Sequence, residues 1–164
     1  TAAIANRGKR VQPRLLARFE NLETGEIVPG PEVRITAITA VDSSLLDTVI
    51  QGMIAVVHGP RGTARASGRG AAYRMAGKTG TSQLISIGQD ETYDANSVPE
   101  RLRDHALYIT FAPVERPRIA LAVVVENAGS GSRVAAPIAR KILDYYFIER
   151  LRRAALTSPA NDFG

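Results

Sequence analysis

The sequence contains no cysteine and no tryptophan, two histidines and only three lysines in 164 residues. Without cysteine there is neither a disulfide framework nor a thiolate-ligated zinc site. The compartment stays open, because cysteine-free chains suit an oxidising space and are also common in the cytosol. The histidines, His58 and His105, have no second histidine at i, i+4 spacing and no cysteine to complete a metal set. They are expected to be surface residues or hydrogen-bonded core residues, and no metal or organic cofactor is implied. Long apolar runs are missing too. The longest, Ile119–Val125, is seven residues, against the ~20 that a membrane-spanning helix needs. The first residues, Thr-Ala-Ala-Ile-Ala-Asn-Arg, lack an initiator Met, a charged start and the apolar stretch of a secretory signal. The expectation is an internal piece of a longer protein.

What is present is ordinary for a folded domain: 45% apolar and 23% charged residues, which excludes wholesale disorder, collagen and coiled coil. The net charge of +5 comes from 18 Arg and 3 Lys against 16 acids. Such a balance invites a nucleic-acid reading. The arginines are scattered, however, and no aromatic residues interleave with them, so no nucleic-acid partner is expected.

Periodicity sets out the elements. Residues 11–19 and 33–38 read as short extended segments, with a turn at Thr24-Gly25. Leu45, Leu46, Val49, Ile50, Met53, Ile54 and Val57 recur at helical spacing and predict a helix over 43–58. Ser44 with Asp47 suggests its capping box, and Gly59-Pro60 its stop. Residues 59–70 carry four glycines and three arginines and are expected to be a mobile surface loop. Alternation over Ser82–Ile87 suggests a strand. The segments 106–111 and 119–126 read as a hairpin around Pro113–Pro117. A Gly/Ser-rich stretch, 127–132, precedes a helix from about Val134, with Ile138, Ile142, Leu143, Tyr146 and Phe147 on one side. Tyr145 and Tyr146 are expected to pack in the core. The order predicts an α+β fold, an antiparallel sheet covered by helices, in which 1–153 form one unit and 154–164 a tail.

One stretch is chemically purposeful: Gly77-Lys78-Thr79-Gly80-Thr81-Ser82. A phosphate-binding P-loop would need glycine at position 72, which is Ala72, and a helix where the pattern alternates like a strand. The other chemistry is Lys-Thr-Gly on an edge strand beside a nucleophilic serine. There a lysine ammonium offers fixed positive charge to a carboxylate, and threonine hydroxyls give directional hydrogen bonds. Glycine clears the approach of a ligand to the strand backbone.

The surrounding sequence resembles the C-terminal part of a class B penicillin-binding protein of the cell-elongation kind. The resemblance is carried by Met75-Ala-Gly-Lys-Thr-Gly-Thr-Ser-Gln83, Glu91-Thr-Tyr-Asp-Ala-Asn96, Glu100-Arg-Leu-Arg-Asp-His105 and Phe111-Ala-Pro113. Ala122-Val-Val-Val-Glu-Asn127, Gly62-Thr63-Ala64 and Ile142-Leu-Asp-Tyr145 extend it to about residue 150. It implies that Lys78, Thr79 and Gly80 are the third active-site motif of the family. Lys78, Thr79, Gly80 and Thr81 would bind substrate, with the Thr81 backbone N–H donating into an oxyanion hole. Arg103-Asp104-His105 is read as a structural cluster. The implied partners are the peptidoglycan stem peptide ending in D-Ala-D-Ala, β-lactams, a membrane glycosyltransferase and rod-shape scaffold proteins. The implied location is the periplasmic side of a bacterial inner membrane.

Two motifs of such an enzyme are not in the chain. Three residues before Lys9, Lys78 and Lys141 stand Asn6, Met75 and Ile138, so there is no Ser-x-x-Lys. Two residues before the five asparagines stand Ile4, Phe19, Asp94, Val125 and Pro159, so there is no Ser-x-Asn. The nucleophilic serine is therefore expected on a missing N-terminal part of the same protein, and this chain alone is expected to be inactive. A nucleophile improvised from Ser67, Ser82 or Ser86 with His58 or His105 has no supporting order of residues. The rival reading is a non-catalytic ligand-binding module of the same fold.

Overall fold

The structure is a computed structural model, and it describes residues 1–38, 42–84 and 97–150. A short helix α1 (Ala2–Ala5) leads into a nested antiparallel ribbon. Its outer pair is β1 (Lys9–Val11) with β4 (Ile35–Ala37), and its inner pair is β2 (Arg18–Glu20) with β3 (Ile27–Pro29). Every residue of these four strands is exposed, including Phe19, Ile27, Val28 and Ile35.

The helix α2 (Ser43–His58) lies where the periodicity placed it. Its cap is Asp42, whose side chain accepts from the Ser44 N–H at 2.9 Å, rather than the expected Ser44–Asp47 box. Asp47 instead pairs with Arg7. Of the expected apolar face, Ile50, Met53, Ile54 and Val57 are buried, while Leu45 and Val49 are exposed.

The segment after α2 departs from expectation. It forms a single helical turn, α3 (Arg65–Gly68), and Ala64, Ser67 and Gly68 are buried. Two glycines explain how this connection packs on α2. A Cβ on Gly62 would lie 2.3 Å from the Val56 carbonyl oxygen, and one on Gly68 2.6 Å from a Val57 methyl. Here glycine permits close approach of backbones rather than mobility. The Ala64 N–H closes the contact by donating to the Val56 carbonyl at 3.0 Å.

Three antiparallel strands form the main sheet in the order β5 (Ala76–Ser82), β6 (His105–Ala112), β7 (Ile119–Val125). β6 and β7 are the expected hairpin. β5 begins six residues earlier than the alternating segment 82–87 suggested, and positions 85–87 lie outside the described residues. Pairing with β6 explains the shift, since Ala76–Ser82 matches His105–Phe111 residue for residue.

The sheet has a helix on each face. On one side Ala76, Ile109 and Phe111 meet Ile50, Met53 and Ile54 of α2. On the other, Ala106, Tyr108 and Ala112 meet α4 (Ala135–Asp144). The buried face of α4 is Ala135, Ala136, Ala139 and Leu143, whereas Ile138 and Ile142 are exposed. The expected apolar stripe is thus rotated. Alanines let the helix sit close to the strands, and that closeness decides the rotation. The chain continues as a π-helical segment over Tyr145–Arg150. There Tyr145 is exposed rather than packed in the core, while Tyr146 meets Phe147 edge-on. The α+β class and the antiparallel sheet stand as read from sequence. The tail, 154–164, lies outside the described residues.

Candidate active site on the edge strand

β5 pairs with β6 on one side, and among the described residues no strand pairs with its other edge. Side chains directly across an antiparallel pair share a face. Lys78 lies opposite Ile109 and Gly80 opposite Leu107, so both belong to the α2 face. Thr79 lies opposite Tyr108 and Thr81 opposite Ala106, on the α4 face. The candidate residues therefore flank the open edge from both sides. A ligand laid along that edge meets the ammonium on one side and the hydroxyls on the other.

Lys78 and Thr81 are exposed, and Thr79 and Gly80 are half-buried. The Lys78 Nζ donates to the Thr79 carbonyl at 2.6 Å, which folds the side chain against the strand. A residue sixteen positions upstream joins the site. The Thr63 hydroxyl is 2.9 Å from the Thr79 hydroxyl, and it is held there by the packed connection between α2 and β5. Thr63 was not singled out as a site residue from sequence. Its only signal was membership of Gly62-Thr63-Ala64, and proximity across sixteen residues is not legible in a pattern.

The support beneath the strand is built from close contacts. Tyr108 is buried under it, and burial raises the pKa of its phenol. A Cβ on Gly77 would stand 2.2 Å from the Tyr108 hydroxyl, so only glycine fits there. The entry to the strand is fixed by His58, whose Nε2 accepts from the Met75 N–H at 3.2 Å.

A second clamp holds the same region from α4. The Arg140 Nε reaches both carboxylate oxygens of Asp144 at 2.8 Å, and its NH1 donates to the carbonyls of Ser67 and Arg69 at 2.8 and 3.0 Å. Tyr73 donates to Asp144 at 2.8 Å. Its pKa is pushed far above the ordinary value, first by burial and then by that carboxylate.

The stretch 127–134 closes the α4 side. Asn127, at φ 56°, donates from its backbone N–H to His105 Nδ1 at 2.9 Å, and the Gly129 N–H donates to the Asp104 carbonyl at 2.8 Å. Gly131 is buried against β5. A Cβ there would lie 2.4 Å from the Gly80 carbonyl oxygen and 2.2 Å from that of Leu107. Between this stretch and Thr81 lies a cavity of about 430 Å³, lined also by Asp104, Ser130 and Arg133. A groove of about 350 Å³ runs beside Thr63 along the C-terminal end of α2.

Asp104 is buried and His105 half-buried, both at the start of β6, in keeping with the structural reading of that cluster. Ser67 is a buried residue of α3, and Ser82 lies opposite His105 on the neighbouring strand. Ser86 and residues 91–96 lie outside the described residues. Among the described residues, no group of three or more His, Asp or Glu side chains is placed to hold a metal ion, and no helix is long and apolar enough to cross a membrane.

Comparison with known proteins bears on this geometry. The profile of the penicillin binding protein transpeptidase domain matches residues 1–144. The chain belongs to that family. The peptidoglycan D,D-transpeptidase MrdA of Salmonella typhimurium is 40% identical over 146 residues, covering 88% of this chain and 23% of the relative. The corresponding protein of Haemophilus influenzae is 36% identical over 154 residues, 92% of this chain and 23% of the relative. This transpeptidase-family chain thus spans about a quarter of the length of the curated relatives it matches. Among solved structures, Pseudomonas aeruginosa PBP2 in complex with WCK 5153 superimposes with a TM-score of 0.68 at 38% identity, over 90% of this chain and 29% of that one. The ceftriaxone acyl-enzyme of penicillin-binding protein A from M. tuberculosis gives 0.65 at 28% identity, over 87% and 29%.

Proposed function

We propose that this chain is the C-terminal part of a serine D,D-transpeptidase that cross-links peptidoglycan stem peptides and is acylated by β-lactams. The nucleophilic serine belongs to an upstream segment. The observation that carries the reading is the Lys78-Thr79-Gly80-Thr81 edge strand, flanked by an ammonium and by paired threonine hydroxyls, in a chain of the transpeptidase family. In this reading Lys78, Thr79 and Thr63 hold the terminal carboxylate of the donor peptide. The serine Oγ attacks the D-Ala-D-Ala carbonyl, and the oxyanion accepts from the Thr81 N–H. Losing one such donor costs ~3–4 kcal/mol of transition-state stabilisation. Collapse of that intermediate breaks the C–N bond and releases D-Ala with the transferred proton on its amine. The amine of an acceptor stem peptide then attacks the acyl-enzyme and regenerates the serine. A β-lactam follows the first half, but its leaving nitrogen stays tethered in the opened ring.

The reading includes placement on the periplasmic side of a bacterial inner membrane, next to a glycosyltransferase and a rod-shape scaffold. No cofactor takes part. The test is fluorescent-penicillin labelling of the intact protein, this chain joined to its upstream segment, followed by a denaturing gel. Label is expected on the intact protein. Lys78→Ala is expected to slow acylation about 10- to 100-fold, because hydrogen bonds to charged groups contribute ~1.5–3 kcal/mol. Its melting temperature is expected to hold, because Lys78 is exposed. Labelling of the Lys78→Ala protein at the unmutated rate would sink the assignment. Ligand binding without any covalent label would favour the non-catalytic module.

A further inference from the structure

We infer that the cavity between Thr81 and the stretch 127–134 is a specificity site, in which Arg133 pairs with a carboxylate carried on the side chain of the acyl-donor substrate. The inference rests on the transpeptidase reading and extends it to the part of the substrate upstream of the scissile bond.

Direction comes first. In the proposed reading the terminal carboxylate lies at Lys78, Thr79 and Thr63, and the scissile carbonyl lies at Thr81. Those strand positions are two residues apart, or ~6.6 Å at ~3.3 Å per residue. The acyl portion therefore continues past Thr81, where the cavity of about 430 Å³ opens. That volume accommodates a branched side chain of several heavy atoms.

Charge comes next. Arg133 lines this cavity together with Thr81, Ser130 and the buried Asp104, and it is the cation of the lining. It is exposed, and among the described residues it forms no ion pair and donates no side-chain hydrogen bond. Arg140, on the helix that follows, is by contrast committed to Asp144 and to the carbonyls of Ser67 and Arg69. A guanidinium left unpaired at the mouth of a cavity is suited to a planar carboxylate, which it can meet bidentately.

Rigidity comes last. The backbone presenting Arg133 is pinned at Asn127 and Gly129, seated on Gly80 through Gly131, and tightened by Arg133 and Val134 N–H bonds to the Ser130 carbonyl at 3.1 and 3.0 Å. The cation is thus presented from a scaffold fixed to the same strand as the oxyanion donor, which is the arrangement that converts a contact into discrimination.

The test compares benzylpenicillin with carbenicillin, which differ by one carboxylate on the acyl side chain. The readout is the ratio of their second-order acylation rates on the intact protein. Arg133→Gln is expected to lower the carbenicillin-to-benzylpenicillin ratio about 2- to 5-fold, the range of an exposed ion pair. Arg133→Lys is expected to keep part of it, and Arg133→Glu to lower it further. An unchanged ratio in Arg133→Gln and Arg133→Glu, with benzylpenicillin still acylating, would overturn this inference alone. Failure of benzylpenicillin to acylate the unmutated protein would overturn the transpeptidase reading, and this inference with it.

Discussion

Substituting Gly131 by alanine isolates the coupling between the 127–134 stretch and the functional strand. The new Cβ would stand 2.2 Å from the Leu107 carbonyl oxygen and 2.4 Å from that of Gly80, and both are backbone atoms of paired strands. To reach even the 3.0 Å floor of real Cβ contacts, the backbones must separate by about 0.8 Å, a fit too tight for side-chain rearrangement to relieve. Overpacking of this kind costs ~1–3 kcal/mol of stability. The larger effect falls on chemistry. Thr81 follows Gly80 directly, and a misplacement of ~1 Å in a catalytic geometry costs ~100-fold in rate.

Gly131→Ala in the intact protein is therefore expected to acylate with benzylpenicillin ~30- to 100-fold more slowly, while remaining folded by circular dichroism. Gly129→Ala is the control. Its φ of +75° makes alanine strained, yet a Cβ there meets nothing within 4 Å. It should lose ~1 kcal/mol of stability and keep most of its acylation rate. If Gly131→Ala acylates at the unmutated rate, or if the two variants lose rate equally, the coupling argument is wrong.

Two further outcomes follow from the clamp between α4 and α3. Arg140→Ala removes a guanidinium that is 17% exposed in its side chain, strands two carbonyls and leaves the Asp144 carboxylate to the Tyr73 hydroxyl. It is expected to cost ~2–3 kcal/mol, read as a lowered denaturation midpoint at constant m-value. A loss below ~0.5 kcal/mol would show that water replaces the guanidinium freely. Tyr73 is expected to make stability fall in alkali. Its folded pKa lies above the ordinary 10.0, so the folded state holds the proton more tightly. That contribution is complete below pH 10.0 and declines as pH rises beyond it. Tyr73→Phe should flatten the fall in melting temperature between ~pH 10 and ~pH 12, and an equally steep fall would assign the alkaline loss to other groups.

Long periodic segments were legible because their own pattern decides them. α2, β6 and β7 lie close to where spacing alone puts them, and the Lys-Thr-Gly letters pointed at the strand that lines the open edge. Other features depended on partners. The strand over Ala76–Ser82 carries two glycines and few β-branched residues, so local propensity drew it toward 82–87, while pairing with β6 set its true span. The orientation of α4 was misread because Ile138 and Ile142 outweigh alanines on any hydrophobic scale, although alanines give the closer fit. Gly62 and Gly68 read as freedom and turned out to be points of contact. Gly131 and Arg133 gave no warning, and Thr63 none beyond its place in Gly62-Thr63-Ala64, since each gains its role from a neighbour distant in sequence.

The layer between α4 and β6 is floored with alanine: Ala106, Ala112, Ala135, Ala136 and Ala139 are all completely enclosed. Such a floor leaves evolution few routes. Enlarging any of these residues lifts the helix, and with it the stretch that closes the reaction edge, so shape can change only by damage. Variation that tunes which molecules are accepted, while leaving the chemistry intact, is channelled outward to the exposed rim residues beyond the alanines.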